Sequence, residues 1–355
     1  MSPRRIYLKN LSEILSRSKV VSKDTCIVIF DRKLLKAVPG FKTFIGKFKH
    51  SFPVTAGESL KSFAEFSKLT SKIHKEVSDD SSLSVNRSWS VVAIGGGSVG
   101  DAAGFFASVY KRGLRLVHVP TTWLSAVDSS HGGKTALNLL GAKNQIGTFY
   151  EAQETILVQS VLMSLSESHR LDALGEFSKT AILDRKVKLK SNLGKITSLD
   201  LWKVLPQAIE AKLKIVRQDP TETLGHRQLL NLGHTMGHVF EAALGLSHGR
   251  SVGLGILFAI DVSEAESCLS QKRAEALRQW LATLGISKSL SEGPSKSGFR
   301  KVSVVQAKRL LLQDKKISKK ESVIFIVIRD LGRCERREIP LKLLISTGLK
   351  AGWLK

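Results

Sequence analysis

Two kinds of apolar spacing divide the chain near residue 155. Before it, short apolar runs alternate with amphipathic stretches. Thr25-Cys26-Ile27-Val28-Ile29-Phe30 is one such run, ending at Asp31, and Phe52-Pro53-Val54 is a weaker one. Runs apolar at every position, rather than every second one, suit strands buried on both faces. Leu60, Phe63, Ala64 and Phe66 open a helical spacing that predicts an amphipathic helix over 60–77. Val91–Ile94 and Leu114–Val119 are two more strands with a helical stretch between them, a βαβ unit. The alternation predicts an α/β domain over 1–155, its parallel sheet covered by helices. After Glu154 the period becomes helical, at Leu157–Lys190, Leu201–Arg217, Leu229–Leu244, Ser251–Leu269 and Lys272–Leu284. A polar loop, Ser287–Gly298, and one late strand, Val323–Ile328, interrupt a mainly α-helical domain expected over 156–355.

The strand at Val91 runs into Gly95-Gly96-Gly97-Ser98-Val99-Gly100-Asp101. Glycines let a ligand approach the backbone, and the N–H groups of a helix start suit a diphosphate. The spacing is GGGxxGD, not the GxGxxG of the common dinucleotide fingerprint, so by itself it also fits a plain structural turn. The second strand ends at Pro120-Thr121-Thr122. Asp128, Gly132-Gly133-Lys134 and Lys143-Asn144 then follow, expected in loops beyond a strand end, where α/β sheets bind ligands. Two lysines in a segment otherwise short of charge favour an anionic substrate over ordinary surface lysines.

Composition narrows the partners. The net charge is +24, from 55 Lys and Arg against 31 Asp and Glu. These cations are spread end to end without interleaved aromatics, so base stacking is unsupported and no specific nucleic acid is expected. The N-terminus has no apolar core of a leader, and no run approaches the roughly 20 residues of a membrane span. Cys26, Cys268 and Cys334 have no metal-binding spacing. A cytoplasmic protein that does not engage membranes is the expectation.

Three of the nine histidines, His234, His238 and His248, fall within fifteen residues. His234 and His238 are four apart on a helix start, a spacing suited to one metal. The glutamate that follows the first histidine in HExxH proteins is here Thr235. Glu176 lies three before Lys179, which also fits an ordinary helical ion pair.

GGGSVGD, Lys111-Arg112-Gly113, VPTTWLSAVDSSHGGKTALN and GAKNQIGTFY together closely resemble the 3-dehydroquinate synthases, founding members of the sugar-phosphate cyclases. The resemblance runs from about Asp31 to Lys316. It implies a Rossmann-like NAD-binding domain followed by a helical metal- and substrate-binding domain. It implies zinc, or cobalt, held by Glu176, His234 and His248, with His238 beside the substrate. The NAD site implied comprises Asp31, Glu58 and Lys61 at the adenosine ribose, with Gly95, Gly96, Gly97, Asp101, Thr121, Thr122 and Lys143. Catalytic and substrate contacts fall to Asp128, Lys134, Asn144, Lys179, Lys212, Arg227, Asn231 and His238, and to lysines of Asp314-Lys315-Lys316 near the substrate phosphate. A homodimer is implied, with Arg112 reaching the neighbouring subunit's site.

The implied reaction converts 3-deoxy-arabino-heptulosonate 7-phosphate to 3-dehydroquinate and phosphate, a lyase step of aromatic amino acid biosynthesis by the shikimate pathway. It proceeds by transient oxidation, phosphate elimination, re-reduction and intramolecular aldol closure. A sibling cyclase with another sugar phosphate, and a non-catalytic relative, stay open at this point. The family's HGE reads His248-Gly249-Arg250, so the acidic neighbour that supports a ligating histidine is absent from that place. An LPxRE-like element has become Leu165–His169, and Ala-Glu-Val has become Gly175-Glu176-Phe177.

Overall fold

Ile27 and Ile29 join one apolar cluster while Val28 and Phe30 join another, and Val91 and Ala93 part from Val92 and Ile94 in the same way. Both faces of these strands are therefore buried, which explains their unbroken apolar runs. In the computed structural model, which describes residues 3–79, 84–190, 196–288, 300–313 and 321–355, the chain forms two units, Met1–Ser166 and Glu167–Lys355.

The first unit holds a parallel sheet of β1 (Arg4–Leu8), β2 (Cys26–Asp31), β3 (His50–Val54), β4 (Ser90–Gly95), β5 (Arg115–Pro120) and β8 (Glu154–Val158). Their spatial order is β1-β8-β5-β4-β2-β3. Helix α1 (Phe63–Ser78), capped by the Ser62 side chain, and helix α2 (Gly97–Val109) contribute Phe66, Ile73, Ala102 and Phe106 to one of the two clusters. After β3 the chain returns past β2 to start β4, so the order reverses between β2 and β4. Their register, with Phe30 opposite Ile94, sets Asp31 beside Gly95 at the carboxyl ends of the strands. Open α/β sheets bind ligands at such a reversal.

Several elements depart from the sequence expectation. Residues 157–190 were expected to be helical throughout, but Ile156-Leu157-Val158 belongs to β8, between β1 and β5. Its three apolar residues run almost directly into those of a short helix, Gln159–Met163, which hides the boundary. Strand β1 was not expected, because Leu8 is its single buried residue. Lys134, Lys143 and Asn144 lie not in loops but on an antiparallel hairpin, β6 (Lys134–Leu139) and β7 (Ala142–Phe149). Gly132 and Gly133, both left-handed at φ +91° and +69°, turn the chain into it.

The second unit is mainly helical. It comprises α3 (Glu167–Leu183), α4 (Ser198–Gln218), α5 (His234–Leu244), α6 (His248–Ala265), α7 (Gln271–Thr283), α8 (Val304–Gln313) and α9 (Leu341–Lys350). Helix α6 is buried on nearly every face, packing on α3, α5 and β9. The expected late strand is β9 (Ser322–Asp330); its antiparallel partner β10 (Arg333–Pro340), rich in charge, was not anticipated. Most of the polar loop expected at 287–298 lies outside the described residues. The stretch from Leu229 is not one helix: a 3-10 turn, His226–Asn231, precedes Gly233, whose left-handed φ of +80° separates it from α5. Arg227 and Asn231 therefore do not continue the helical face of His234 and His238. No helix among the described residues is long and apolar enough to cross a membrane.

Candidate functional site

A seam of glycines in the second unit sets the spacing of α3, α5 and α6. A Cβ at Gly175 would lie 2.0 Å from the Gly249 carbonyl oxygen, and one at Gly255 1.8 Å from that of Gly233. One at Gly249 would fall 1.4 Å from the Asp172 carbonyl oxygen. Only residues without a side chain allow backbones this close. Each glycine at the heart of the seam also adjoins a residue of interest, in Gly175-Glu176, Gly233-His234 and His248-Gly249. Asp172 accepts the Gly249 N–H at 3.1 Å and so ties α3 to the first turn of α6.

Those neighbours converge. One carboxylate oxygen of Glu176 and one nitrogen each of His234 and His248 lie within 4.8 Å of one another. The Nε2 atoms of His234 and His248 stand 3.4 and 3.7 Å from Glu176 Oε1. Glu176 is buried, and neither of its oxygens takes a well-formed hydrogen bond, although the Lys179 ammonium forms an ion pair with Oε2. Lys179 balances Oε2, and Oε1, turned toward the two imidazoles without a well-formed hydrogen bond, is the oxygen left for another cation. One carboxylate and two imidazoles make the donor set of three-ligand zinc sites, which keep a position open. The residues fit a divalent metal.

Both imidazoles are oriented from behind. His234 Nδ1 lies 3.2 Å from the Leu232 carbonyl oxygen, and His248 Nδ1 lies 3.1 Å from Glu241 Oε2. Each contact places the N–H on Nδ1 and leaves Nε2 to face Glu176. Glu241 thus gives His248 the acidic partner that Arg250, two residues along the chain, does not. Sequence reasoning missed it, although a signal existed: His234, His238 and Glu241 follow the i, i+4, i+7 rule of one helical face. Burial favours neutral His248, but Glu176 and Glu241 outweigh it and push its pKa up to about 10 in the metal-free protein. Replacing Glu241 with alanine should weaken metal binding by about 10- to 100-fold, with Gln intermediate. Competition against a chromogenic chelator measures this; unchanged affinity in both variants would contradict the orienting role.

The His238 ring packs edge-on to His234, centroids 5.6 Å apart, but His238 is exposed and stands outside the three-donor group. The sequence spacing that paired His234 with His238 is thus not the grouping the fold makes. Lys179, Lys212 and Arg227 are buried cations of the same unit, and Asn231 is half-buried. The Arg227 guanidinium donates to the Pro220 carbonyl at 2.6 Å, while its backbone N–H reaches Asp219 Oδ2. Burial alone would raise the Asp219 carboxyl. Backbone N–H groups of Leu224, Arg227, Thr223 and Gly225 instead hold it below the usual carboxylate range. Asp219, not anticipated from sequence, fixes the loop that carries Arg227.

In the first unit, Gly95-Gly96-Gly97 lies at the strand-order reversal, and no side chain caps the start of α2 at Gly96. Its first-turn N–H groups suit a phosphate ligand. Thr121 donates its backbone N–H to the Gly95 carbonyl at 3.0 Å, bringing Thr121-Thr122 to the same edge. Buried Lys61 reaches Asp101 at 2.7 Å and Asn144 Oδ1 at 2.5 Å. Burial nevertheless leaves the Asp101 carboxyl above its ordinary value. Asn138, not singled out from sequence, links two more positions: it donates to Glu58 Oε2 at 2.8 Å and accepts the Asn144 backbone N–H at 2.9 Å. Asp101, Lys134 and Asn144 line one concavity of about 450 Å³. Asp31 accepts the Lys33 N–H, Lys143 is exposed, and Asp128 is half-buried in the turn after β5. Asp314, Lys315 and Lys316 lie outside the described residues.

Comparison with known proteins bears on both units. Models described as 3-dehydroquinate synthase N-terminal and 3-dehydroquinate synthase C-terminal match residues 51–172 and 173–317. The 3-dehydroquinate synthase of Bacillus pumilus (strain SAFR-032) is 39% identical over 259 residues, 70% of this chain and 68% of that one. That of Francisella tularensis subsp. tularensis (strain WY96-3418) is 36% identical over 250 residues, 68% and 67% of the two chains. Two solved structures share the fold. A 2-deoxy-scyllo-inosose synthase complexed with carbaglucose-6-phosphate, NAD+ and Co2+ has a TM-score of 0.81 at 20% identity, covering 97% of this chain and 95% of its own. The 2-epi-5-epi-valiolone synthase ValA from Streptomyces hygroscopicus subsp. jinggangensis 5008, with NAD+ and Zn2+ bound, has 0.79 at 17%, covering 99% and 97%.

Proposed function

Because the chain belongs to the 3-dehydroquinate synthase family, we propose that it converts 3-deoxy-arabino-heptulosonate 7-phosphate to 3-dehydroquinate and phosphate, as an NAD- and metal-dependent lyase. The observation that carries the reading is the convergence of Glu176, His234 and His248, inside a region that the family matches without a break. NAD and Co2+ or Zn2+ in the two solved synthases support the cofactor choice. When bound, NAD accepts and returns a hydride at a ring carbon, and the metal acts as a Lewis acid on substrate oxygen.

The chain's own residues supply binding and orientation. The Gly95–Gly97 turn holds the cofactor diphosphate against the start of α2, with Thr121 and Thr122 at its edge. Lys61, locked between Asp101 and Asn144, orients the Asn144 amide in the concavity that Lys134 shares. Lys134 offsets the charge of the phosphate as it departs, when that charge is greatest, and the Asn144 amide N–H donates a hydrogen bond to it. In the second unit, Arg227 is pinned by Pro220 and Asp219, so its planar guanidinium meets the substrate carboxylate pre-organised. The buried Lys179 ammonium fixes the Glu176 carboxylate.

The assembly belongs to the same proposal: a cytoplasmic homodimer in which Arg112 reaches the neighbouring subunit's site. Lys111 and Arg112 take left-handed conformations, φ +51° and +62°, and both are exposed, as a reaching residue must be. The test is phosphate release from the heptulosonate phosphate with NAD present. Release should require NAD, stop on chelation and return with zinc or cobalt, in a preparation that sediments at twice the chain mass. Release indifferent to the chelator contradicts the mechanism, and a monomer contradicts the assembly.

A further inference from the structure

Helices α3 and α7 of the second unit flank a cavity of about 670 Å³ that contains none of the residues discussed above as donors or substrate contacts. The volume lies within the roughly 300–1,000 Å³ of small-molecule sites. Its walls are apolar: Val187, Leu189 and Leu277 are buried, and Trp280 presents a half-buried ring. The indole is fixed in place, its N–H donating to the Leu189 carbonyl at 3.2 Å. The rim has the opposite character. Arg185, Lys188, Lys190 and Arg273 stand around it with one carboxylate, Asp330, among the lining residues. Arg185 and Arg273 both lean on that single Asp330, at 2.7 and 3.6 Å. Four cations over an apolar floor leave a net positive opening.

We propose that this cavity binds a small organic anion with a flat apolar body, an aromatic carboxylate. The ring lies against Trp280 and Leu277, where a fixed indole offers a stacking face at little entropic cost. The carboxylate meets Lys188 and the guanidinium of Arg273, which holds Asp330 only at its outer reach. A neutral aromatic would leave the cationic rim unanswered, and an aromatic amine would be repelled by it. The inference does not depend on the catalytic proposal, because no residue of the metal centre lines the cavity.

The probe is 3-phenylpropanoate, compared with its neutral amide and with phenethylammonium by calorimetry on the full-length protein. The carboxylate should bind with a Kd of about 1 mM or tighter. It should exceed the amide by about tenfold or more, the worth of a charge-assisted contact, with phenethylammonium not binding. Ala276→Glu places a carboxylate at an exposed lining position, and Lys188→Glu reverses one rim charge. Each should lower affinity at least about tenfold with an unchanged melting temperature, which separates loss of the site from loss of the fold. Equal binding of carboxylate and amide, or unchanged affinity in Ala276→Glu, overturns the proposal. So does binding of an acidic peptide ending in phenylalanine when 3-phenylpropanoate itself does not bind.

Discussion

The His248→Ala protein should purify folded and metal-poor, with kcat/KM lowered about a thousandfold or more, since a catalytic metal supplies several kcal/mol and each 1.4 is tenfold. Removing this imidazole costs little packing, because its side chain is about a third exposed (34%). Glu176 is the poorer choice for the experiment. Its loss would leave Lys179 a buried cation without its carboxylate, and instability would mask the chemistry. Metal content by atomic absorption and thermal melting, measured on the same sample, keep the two effects apart. Normal metal content in folded His248→Ala protein would remove the histidine from the donor set. A second readout comes from the wild type. Metal must displace the proton that Glu176 and Glu241 hold on His248 below a pKa of about 10. Uptake at neutral pH should therefore release protons, and apparent affinity should climb as pH rises.

Gly249→Ala should be the most damaging single-methyl change in the second unit. Its Cβ would fall 1.4 Å from the Asp172 carbonyl oxygen, and the obstacle is backbone that no rotamer change can clear. Helices α3 and α6 would have to part along the seam. Overpacking of this kind costs about 3 kcal/mol or more, a fall of roughly 6–12 °C in melting temperature for a unit of this size. The separation would also draw Glu176 away from His248, so metal affinity should fall even though no donor is altered. Differential scanning calorimetry with and without zinc tests both parts. A melting temperature within a degree or so of wild type would mean the helices do not meet as described.

What the chain disclosed in advance divides along physical lines. The β4–α2–β5 unit was legible because its strands are buried on both faces and a glycine turn separates them from the helix. Strand β1 was not, since an edge strand with one buried residue leaves almost no pattern. Strand β8 was hidden because its apolar residues merge with those of the helix behind it; the sheet decides its conformation, not local preference. Hairpin β6–β7 looked like loop because β7 has no buried position. At the metal centre, histidine spacing pointed to His234 with His238. The resemblance, not the spacing, supplied Glu176 and His248, since no local rule links a carboxylate on α3 to an imidazole fifty-eight to seventy-two residues later. The glycine seam was written beside each donor. Its meaning emerges only when the helices are seen to touch.

The edge position of β1 also bears on biosynthesis. Its partner across the sheet is β8, with Arg4 opposite Glu154 and Leu8 opposite Val158. A ribosome adding about 5–20 residues per second leaves the first strand without its mate for roughly 8–30 s. During that interval the nascent segment is an open edge, and Arg4 and Arg5 supply the charge that discourages it from adding to another chain. When β8 emerges, Glu154 finds Arg4 at 2.7 Å, and the same charge becomes the latch that closes the sheet.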